Sequence, residues 1–385
     1  MRVLHLLKTS VGATWAWRQI HELVRFGVDV RVALPGGGPM EGHYSAVGAT
    51  EYLLQTDFPI KAPWMFPKLA GKFRKLVDEL CPDIIHSHFV GTTLTMRLAL
   101  GRNHPVPRVF QVPGPLHLEH RFFRNAEIAT AGDNDHWVGS CRWTCDRYRR
   151  SGIVNKRIFL SYYGTDIDTF HGSPSGTLRR ELGLGQGTKI IGMVAYMYAP
   201  KRYLGQRRGL KGHEDLIDAV ALCLRHIPDM VCVIVGGAWN NAMAYEQRVR
   251  EYAAKKCGDR VIFLGTRHDV PDLYPDFDIA VHPSLSENVG GAGESLLNAI
   301  PTITTNIGGF PDLVRHDETG WLVPPASPKR LADTIIQVLK DPTHAKEVAT
   351  RGQALAMHLF DIKRCAREIE DTYGTILSRG KSEAS

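Results

Sequence analysis

Short apolar runs alternate with stretches of helical period along most of this chain, and the alternation starts twice. Val3–Leu7 reads as a strand and Thr14–Phe26 as a helix, with Gly27 as its stop. Val28–Leu34 is the next strand, closed by Pro35 and three glycines. Helical period returns over Phe73–Leu80 and Thr92–Leu100, and Asp83–His86 and Val109–Val112 read as further strands. Strands joined through helices pair in parallel, so this rhythm predicts an α/β fold with a doubly wound sheet.

The rhythm pauses at Gly172–Thr177, where GSPSGT reads as a linker. It restarts with strands at Lys189–Val194, Met230–Val235, Val261–Leu264, Ile279–His282 and Thr302–Thr305. Helices are expected between them, at Glu214–His226, Met243–Lys256, Val270–Tyr274 and Gly293–Ala299. The 385 residues suffice for two α/β cores, placed at 1–172 and 178–357. Pro328–Leu339 and His344–Leu377 are helical in pattern, and the last stretch, about 358–385, is expected to pack back on the first domain.

Composition then narrows the partners. A net charge of +7 suits an anionic ligand or an anionic lipid surface. No basic run follows a phosphate backbone, so nucleic acid is not expected. The seven cysteines form no framework and read as free thiols of a reducing cytoplasm. MRVLHLLKTSVGATW reads as a first core strand and not as a leader. No run approaches the ~18 apolar residues of a membrane span, so the expected place is the cytoplasm.

Two segments carry chemistry. Asn288, Val289, Gly290 and Gly291 lead into a helix, where glycines admit close backbone approach and the helix start offers free N–H groups to phosphates. Glu294, near the start of that helix, can accept hydrogen bonds from ribose hydroxyls. Lys211-Gly212 precedes another helix and places a cation at its start. Both lie where strand ends meet helix starts, the crevice of a doubly wound sheet. A glycine-rich turn with a helix-capping glutamate is the plain structural alternative.

The stretch PSLSENVGGAGESLLNAIPTITTNIGGFPDLV, Pro283–Val314, resembles the donor-site signature of the family 4 retaining glycosyltransferases. GTDIDTF at Gly164–Phe170, LKGHEDLIDA at Leu210–Ala219, VIFLGTRHDVPDLYPDFDIAVHPS at Val261–Ser284 and DETGWLVPP at Asp317–Pro325 extend the likeness over nearly the whole chain. The resemblance implies the GT-B fold, two Rossmann-like domains facing across a cleft. It implies transfer of a sugar from a nucleotide-diphosphate donor, a UDP-sugar being favoured, with no metal and no further cofactor. The family pairs two glutamates eight residues apart. Here Ser286 stands eight before Glu294 and Glu287 seven before it, and Glu287 is favoured because Asn288 and Gly290-Gly291 let the backbone bend. Lys211, with a nearby arginine, would neutralise the leaving diphosphate. An insertion leaves Lys201, Arg202, Arg207 and Arg208 as candidates, with Arg207 taken as the donor contact. The base is expected near Gly265–His268, which brings in Arg267 and His268. In the first domain Gly12 stands for the family's glycine pair. The family's sugar-touching histidine falls by counting near Pro113, so His117, then His120, is its substitute.

Retention needs no strong protein nucleophile in this family, so activity would rest on positioning and electrostatics at His117, Lys211 and Glu287. Asp133-Asn134-Asp135 imitates the DxD metal motif of the other glycosyltransferase fold, yet falls far from the donor motif and reads as a polar loop. His86-Ser87-His88 shows no third ligand at useful spacing. Residues 61–75, KAPWMFPKLAGKFRK, suit peripheral contact with anionic lipid, although most amphipathic helices are surface helices with the apolar side on the core. A glycan, a lipid-linked molecule or a small molecule such as an antibiotic would accept the sugar. A sugar-nucleotide epimerase of the same fold is the alternative activity.

Overall fold

The computed structural model describes residues 1–384 except 113, 115, 171–173, 175, 203 and 204, and only the backbone of 381–384. The chain divides into two compact units, Met1–Asp166 with Leu359–Ser385, and Ile167–His358.

The first unit holds seven strands: β1 (Arg2–Leu6), β2 (Asp29–Leu34), β3 (Thr50–Leu53), β4 (Ile84–Ser87), β5 (Arg108–Val112), β6 (Asp135–Gly139) and β7 (Ile158–Leu160). Their order is β3-β2-β1-β4-β5-β6-β7, all parallel. Successive side chains of a strand point to opposite faces, and both faces here are covered. Val3 and Leu7 join Ile20 and Leu23 of helix Thr14–Arg25 and Ile369, Tyr373 and Ile376 of helix Ile362–Ala384. Leu4 and Leu6 join Phe73 and Val77 of helix Phe66–Leu80 and Met96 of helix Val90–Leu100.

The second unit holds β8 (Lys189–Val194), β9 (Met230–Val235), β10 (Val261–Gly265), β11 (Ile279–His282), β12 (Thr302–Thr305) and β13 (Trp321–Val323), ordered β10-β9-β8-β11-β12-β13 and parallel throughout. Ile191, Met193, Leu216, Val220 and Ile234 pack one face, and Ile190, Val233, Leu273 and Phe277 the other.

Several expectations change. Residues 172, 173 and 175 of the expected linker lie outside the described residues, and Thr177 begins a helix, Thr177–Glu181. The division falls earlier, after Asp166, because the Thr165 N–H donates to the Phe360 carbonyl at 2.8 Å and Thr165 bridges Asp361, which keeps this stretch with the first unit. The expected C-terminal helix is two, Pro342–Phe360 and Ile362–Ala384, interrupted at Asp361. Strands β3, β6, β7 and β13 escape sequence reading. β6 hides because its first residue is a buried aspartate, Asp135, held by Arg97 Nε at 2.9 Å and by Arg108 Nη2 at 2.5 Å. Asp133-Asn134-Asp135 is thus the entry to a core strand.

Candidate functional site

In the second unit the strand order reverses between β8 and β11, so the loops beyond their C-terminal ends diverge and leave a crevice. A cavity of about 310 Å³ lies there, with Lys211, His282, Glu287 and Glu294 among its lining residues.

Lys211 reaches the cavity through a tight turn. Gly212 has φ 75°, and a Cβ there would stand 2.0 Å from the Pro283 carbonyl oxygen, so only glycine lets this turn press against the end of β11. The Leu285 N–H donates to the Leu210 carbonyl at 2.7 Å and ties the two loops together. Lys211 Nζ consequently meets the Glu287 carboxylate in an ion pair, both side chains mostly shielded at 21% and 11% exposure. Glu287 Oε1 also accepts from the Asn288 N–H at 3.0 Å. Ser286 is not among the lining residues, and Glu287 is.

Asn288, Val289 and Gly290 lie outside the cavity lining and shape the loop instead. The Asn288 carbonyl accepts from the Gly309 N–H at 2.8 Å. Gly291 does line the cavity and caps helix Ala292–Leu297, which carries Glu294 on its first turn. Tyr274 Oη donates to the Gly291 carbonyl at 3.2 Å, and burial, with Glu294 nearby, pushes its phenol well above the usual range.

The expected arginines do not join Lys211. Arg207 is exposed and outside the lining, as are Lys201 and Arg202. Arg208 is spent on Asp215 and Asp218, at 2.5 and 2.8 Å. Arg267 lines the cavity, but its guanidinium is held by Glu181 at 2.7 Å and Asp269 at 2.6 Å. His268 is exposed and does not line it. Two residues after β8 comes Tyr196, which with Tyr198 makes an aromatic wall backed by Trp239, at ring separations of 5.0 and 6.0 Å. Tyr196, Tyr198, Thr266 and His282 were missed in the sequence. The usable signal was their place just at or beyond the C-terminal ends of β8, β10 and β11.

Two family models match this chain, "Glycosyl transferases group 1" over residues 202–355 and "Glycosyl transferase 4-like domain" over residues 12–164. The chain belongs to this glycosyltransferase family. Among its relatives is the lipopolysaccharide core biosynthesis mannosyltransferase LpsB of Rhizobium meliloti, 26% identical over 52% of this chain and 55% of that protein. Another is the D-inositol 3-phosphate glycosyltransferase of Corynebacterium glutamicum, 32% identical over 48% of this chain and 44% of that one. The chain thus spans about half the length of the curated relatives it matches. The fold is shared with HepE of Anabaena, solved in complex with UDP, at TM-score 0.81 and 22% identity over 97% of this chain and 100% of that one. It is also shared with sucrose-phosphate synthase of Thermosynechococcus elongatus, at TM-score 0.76 and 18% identity over 98% and 100%. Both units are parallel-sheet α/β domains of the GT-B type.

The first unit has its own reversal of strand order, between β1 and β4. Gly12 follows β1 with φ 73° and open space where a Cβ would lie. His117 is engaged in packing: Nε2 lies 3.1 Å from Tyr148 Oη, and burial pushes its pKa down to about 4. The position near Pro113 lies outside the described residues. His86 and His88 do gain a third histidine, His5 of β1, with ligand atoms within 4.8 Å of one another. Their rings lie near-parallel, with interplanar angles of 15° to 26°, and two of their ring nitrogens are already engaged with each other. They form a hydrogen-bonded stack, His5 Nδ1 at 2.9 Å from His88 Nε2 and His86 Nδ1 at 2.5 Å from Tyr373 Oη of the last helix.

Proposed function

We propose that this chain is a retaining, metal-independent glycosyltransferase. It moves a sugar from a nucleotide-diphosphate donor, a UDP-sugar by preference, to a glycan, a lipid-linked molecule or a small molecule. The observation that carries this reading is the Lys211–Glu287 pair inside the crevice of the second unit. A shielded ammonium there stabilises the charge that grows on a departing diphosphate, and a carboxylate beside it accepts from sugar hydroxyls. Glu294, one helix turn on, suits the ribose. HepE, solved with UDP and with UDP-glucose, supports the choice of nucleotide.

With Arg208 and Arg267 each held by two carboxylates, Lys211 would carry most of the charge stabilisation. The test is UDP release from UDP-sugars with and without acceptors, in chelator. Release that requires acceptor supports the reading. Interconversion of the sugar nucleotide without acceptor would replace it with an epimerase.

A membrane contact would rest on the outward tips of residues 60–72 and not on the whole of 61–75. Helix Phe66–Leu80 turns Leu69, Phe73, Leu76 and Leu80 into the core. What faces outward is Ile60, Trp64 and Met65, at 75%, 76% and 55% exposure, beside the exposed Lys61, Lys68 and Lys72. Apolar tips among lysines suit an anionic lipid surface. Among the described residues no helix is long and apolar enough to cross a membrane. A cytoplasmic enzyme touching the inner membrane face is the corresponding reading.

A further inference from the structure

His282 ends β11, is 4% exposed and lines the donor cavity, yet nothing above uses its chemistry. Its hydrogen bonding determines what it offers a ligand. Nε2 lies 3.1 Å from Ser295 Oγ, a fully buried hydroxyl. Ser295 Oγ lies 3.0 Å from the Ala292 carbonyl, and Thr302 Oγ1 lies 2.7 Å from the Ile300 carbonyl and 3.0 Å from Ser295 Oγ. Carbonyls only accept and each hydroxyl has one proton. The Thr302 proton therefore goes to Ile300, its shortest contact, and the Ser295 proton to Ala292. This leaves one contact without a proton, the 3.0 Å approach of Thr302 Oγ1 to Ser295 Oγ, whereas a Ser295 proton spent on His282 Nε2 would leave two. Ser295 Oγ then has only lone pairs to offer, so His282 Nε2 carries the hydrogen and donates it. A neutral imidazole has a single N–H, which leaves Nδ1 as a bare acceptor.

The ring stays neutral. Burial pushes its pKa down to about 3, and the nearby Lys211 charge acts in the same direction. A bare nitrogen lone pair repels a phosphate oxygen and attracts an O–H or N–H. His282 stands near Lys211 in the cavity lining, where the donor reading puts the diphosphate and the transferred sugar.

We propose that His282 accepts, through Nδ1, a hydrogen bond from a hydroxyl of the sugar carried by the nucleotide-diphosphate donor. This rests on the donor reading above. It makes His282 a specificity residue that favours a donor with a hydroxyl at that point over one that lacks it.

The experiment is calorimetric binding of UDP, UDP-glucose, GDP and GDP-mannose to the full chain and to three variants. His282→Leu removes both nitrogens. His282→Gln places a polar group near Nε2, and His282→Asn near Nδ1. For the nucleotide pair that wild type binds, affinity for the bare diphosphate should stay within about twofold in all variants, while affinity for the sugar nucleotide falls about tenfold in His282→Leu and His282→Gln, the loss of one buried hydrogen bond. His282→Asn should recover most of it. Equal losses for diphosphate and sugar nucleotide, or none for either, overturn the proposal. If His282→Leu does not fold, the contrast between Asn and Gln decides, and equal behaviour of those two overturns it. A wild-type chain that binds none of the four probes overturns the donor reading first, and this proposal with it.

Discussion

Lys211 and Glu287, 76 residues apart in sequence, form an ion pair in the crevice beyond β8 and β11. Each charge is shielded, so each depends on the other until a ligand enters. A diphosphate would take over Lys211 and release the carboxylate toward a sugar. Replacing Lys211 by Met should lower kcat/KM about 100- to 1000-fold, the cost of removing one transition-state charge contact, with Lys211→Arg recovering part. Steady-state UDP release measures it, and a loss under tenfold would remove Lys211 from the proposed role.

The turn that delivers Lys211 gives a second prediction. Gly212→Ala must accommodate φ 75° and a Cβ 2.0 Å from the Pro283 carbonyl, whereas Gly183→Ala, at φ 63°, meets open space. Backbone strain alone costs about 1–3 kcal/mol. In urea unfolding Gly212→Ala should lose more stability than Gly183→Ala, and it alone should lose UDP affinity. Equal losses would mean that the close approach does not matter.

Acid should weaken the first unit. Burial pushes His5 down to about 3 and His86 and His88 well below the ordinary 6.5. The unfolded chain therefore binds protons that the folded chain refuses once the pH falls below 6.5. Stability should be flat above pH 7 and should drop below pH 6.5, by about 1.4 kcal/mol per pH unit for each histidine that stays neutral. Urea unfolding at pH 7.5 and 5.5 measures the slope, and His86→Phe should make it shallower. An unchanged slope would show that the stack does not refuse protons.

The DxD look-alike separates two kinds of aspartate. Arg97 is buried against Glu127 and Asp135, at 2.5 and 2.9 Å. Arg97→Met would leave those carboxylates short of a partner and should cost about 3–5 kcal/mol. The exposed Asp133 should tolerate Asn within about 0.5 kcal/mol. Transferase activity of Asp133→Asn should match wild type with and without chelator. A chelator-sensitive loss confined to this variant would restore the metal motif.

Lipid contact can be read by sedimentation. Vesicles with anionic headgroups should carry down the wild-type chain, and Trp64→Ser with Met65→Ser should release it, because both tips lie outside the core. Neutral vesicles should bind neither form. Equal sedimentation of wild type and variant would sink the wedge.

Much of the second unit is legible because strands buried on both faces are short runs of apolar and β-branched residues between turn formers. β8, β9, β11 and β12 begin and end where those runs do. β6 is not legible, since Asp135 is tolerated inside only by the partners Arg97 and Arg108, brought from elsewhere in the chain. Helix Phe66–Leu80 begins one run too early for the eye, because Pro67, which reads as a breaker, fits the first turn of a helix. At the site, Lys211, Glu287 and Glu294 were visible through their motifs. Tyr196 and His282 were not, since a tyrosine after one strand and a histidine at the end of another look like ordinary core boundaries. His5 joined His86 and His88 only through parallel register, which sets His5 opposite His86.

By itself the sequence determined the two α/β units, most of their strands and the glycine-bearing turns, because apolar period and turn chemistry are local properties of neighbouring residues. Tertiary structure decided which charges meet. Arg208 went to Asp215 and Asp218, Arg267 to Glu181 and Asp269, and Lys211 to Glu287. A side chain's partner depends on which loops the reversal of strand order brings side by side, and no spacing along the chain encodes that.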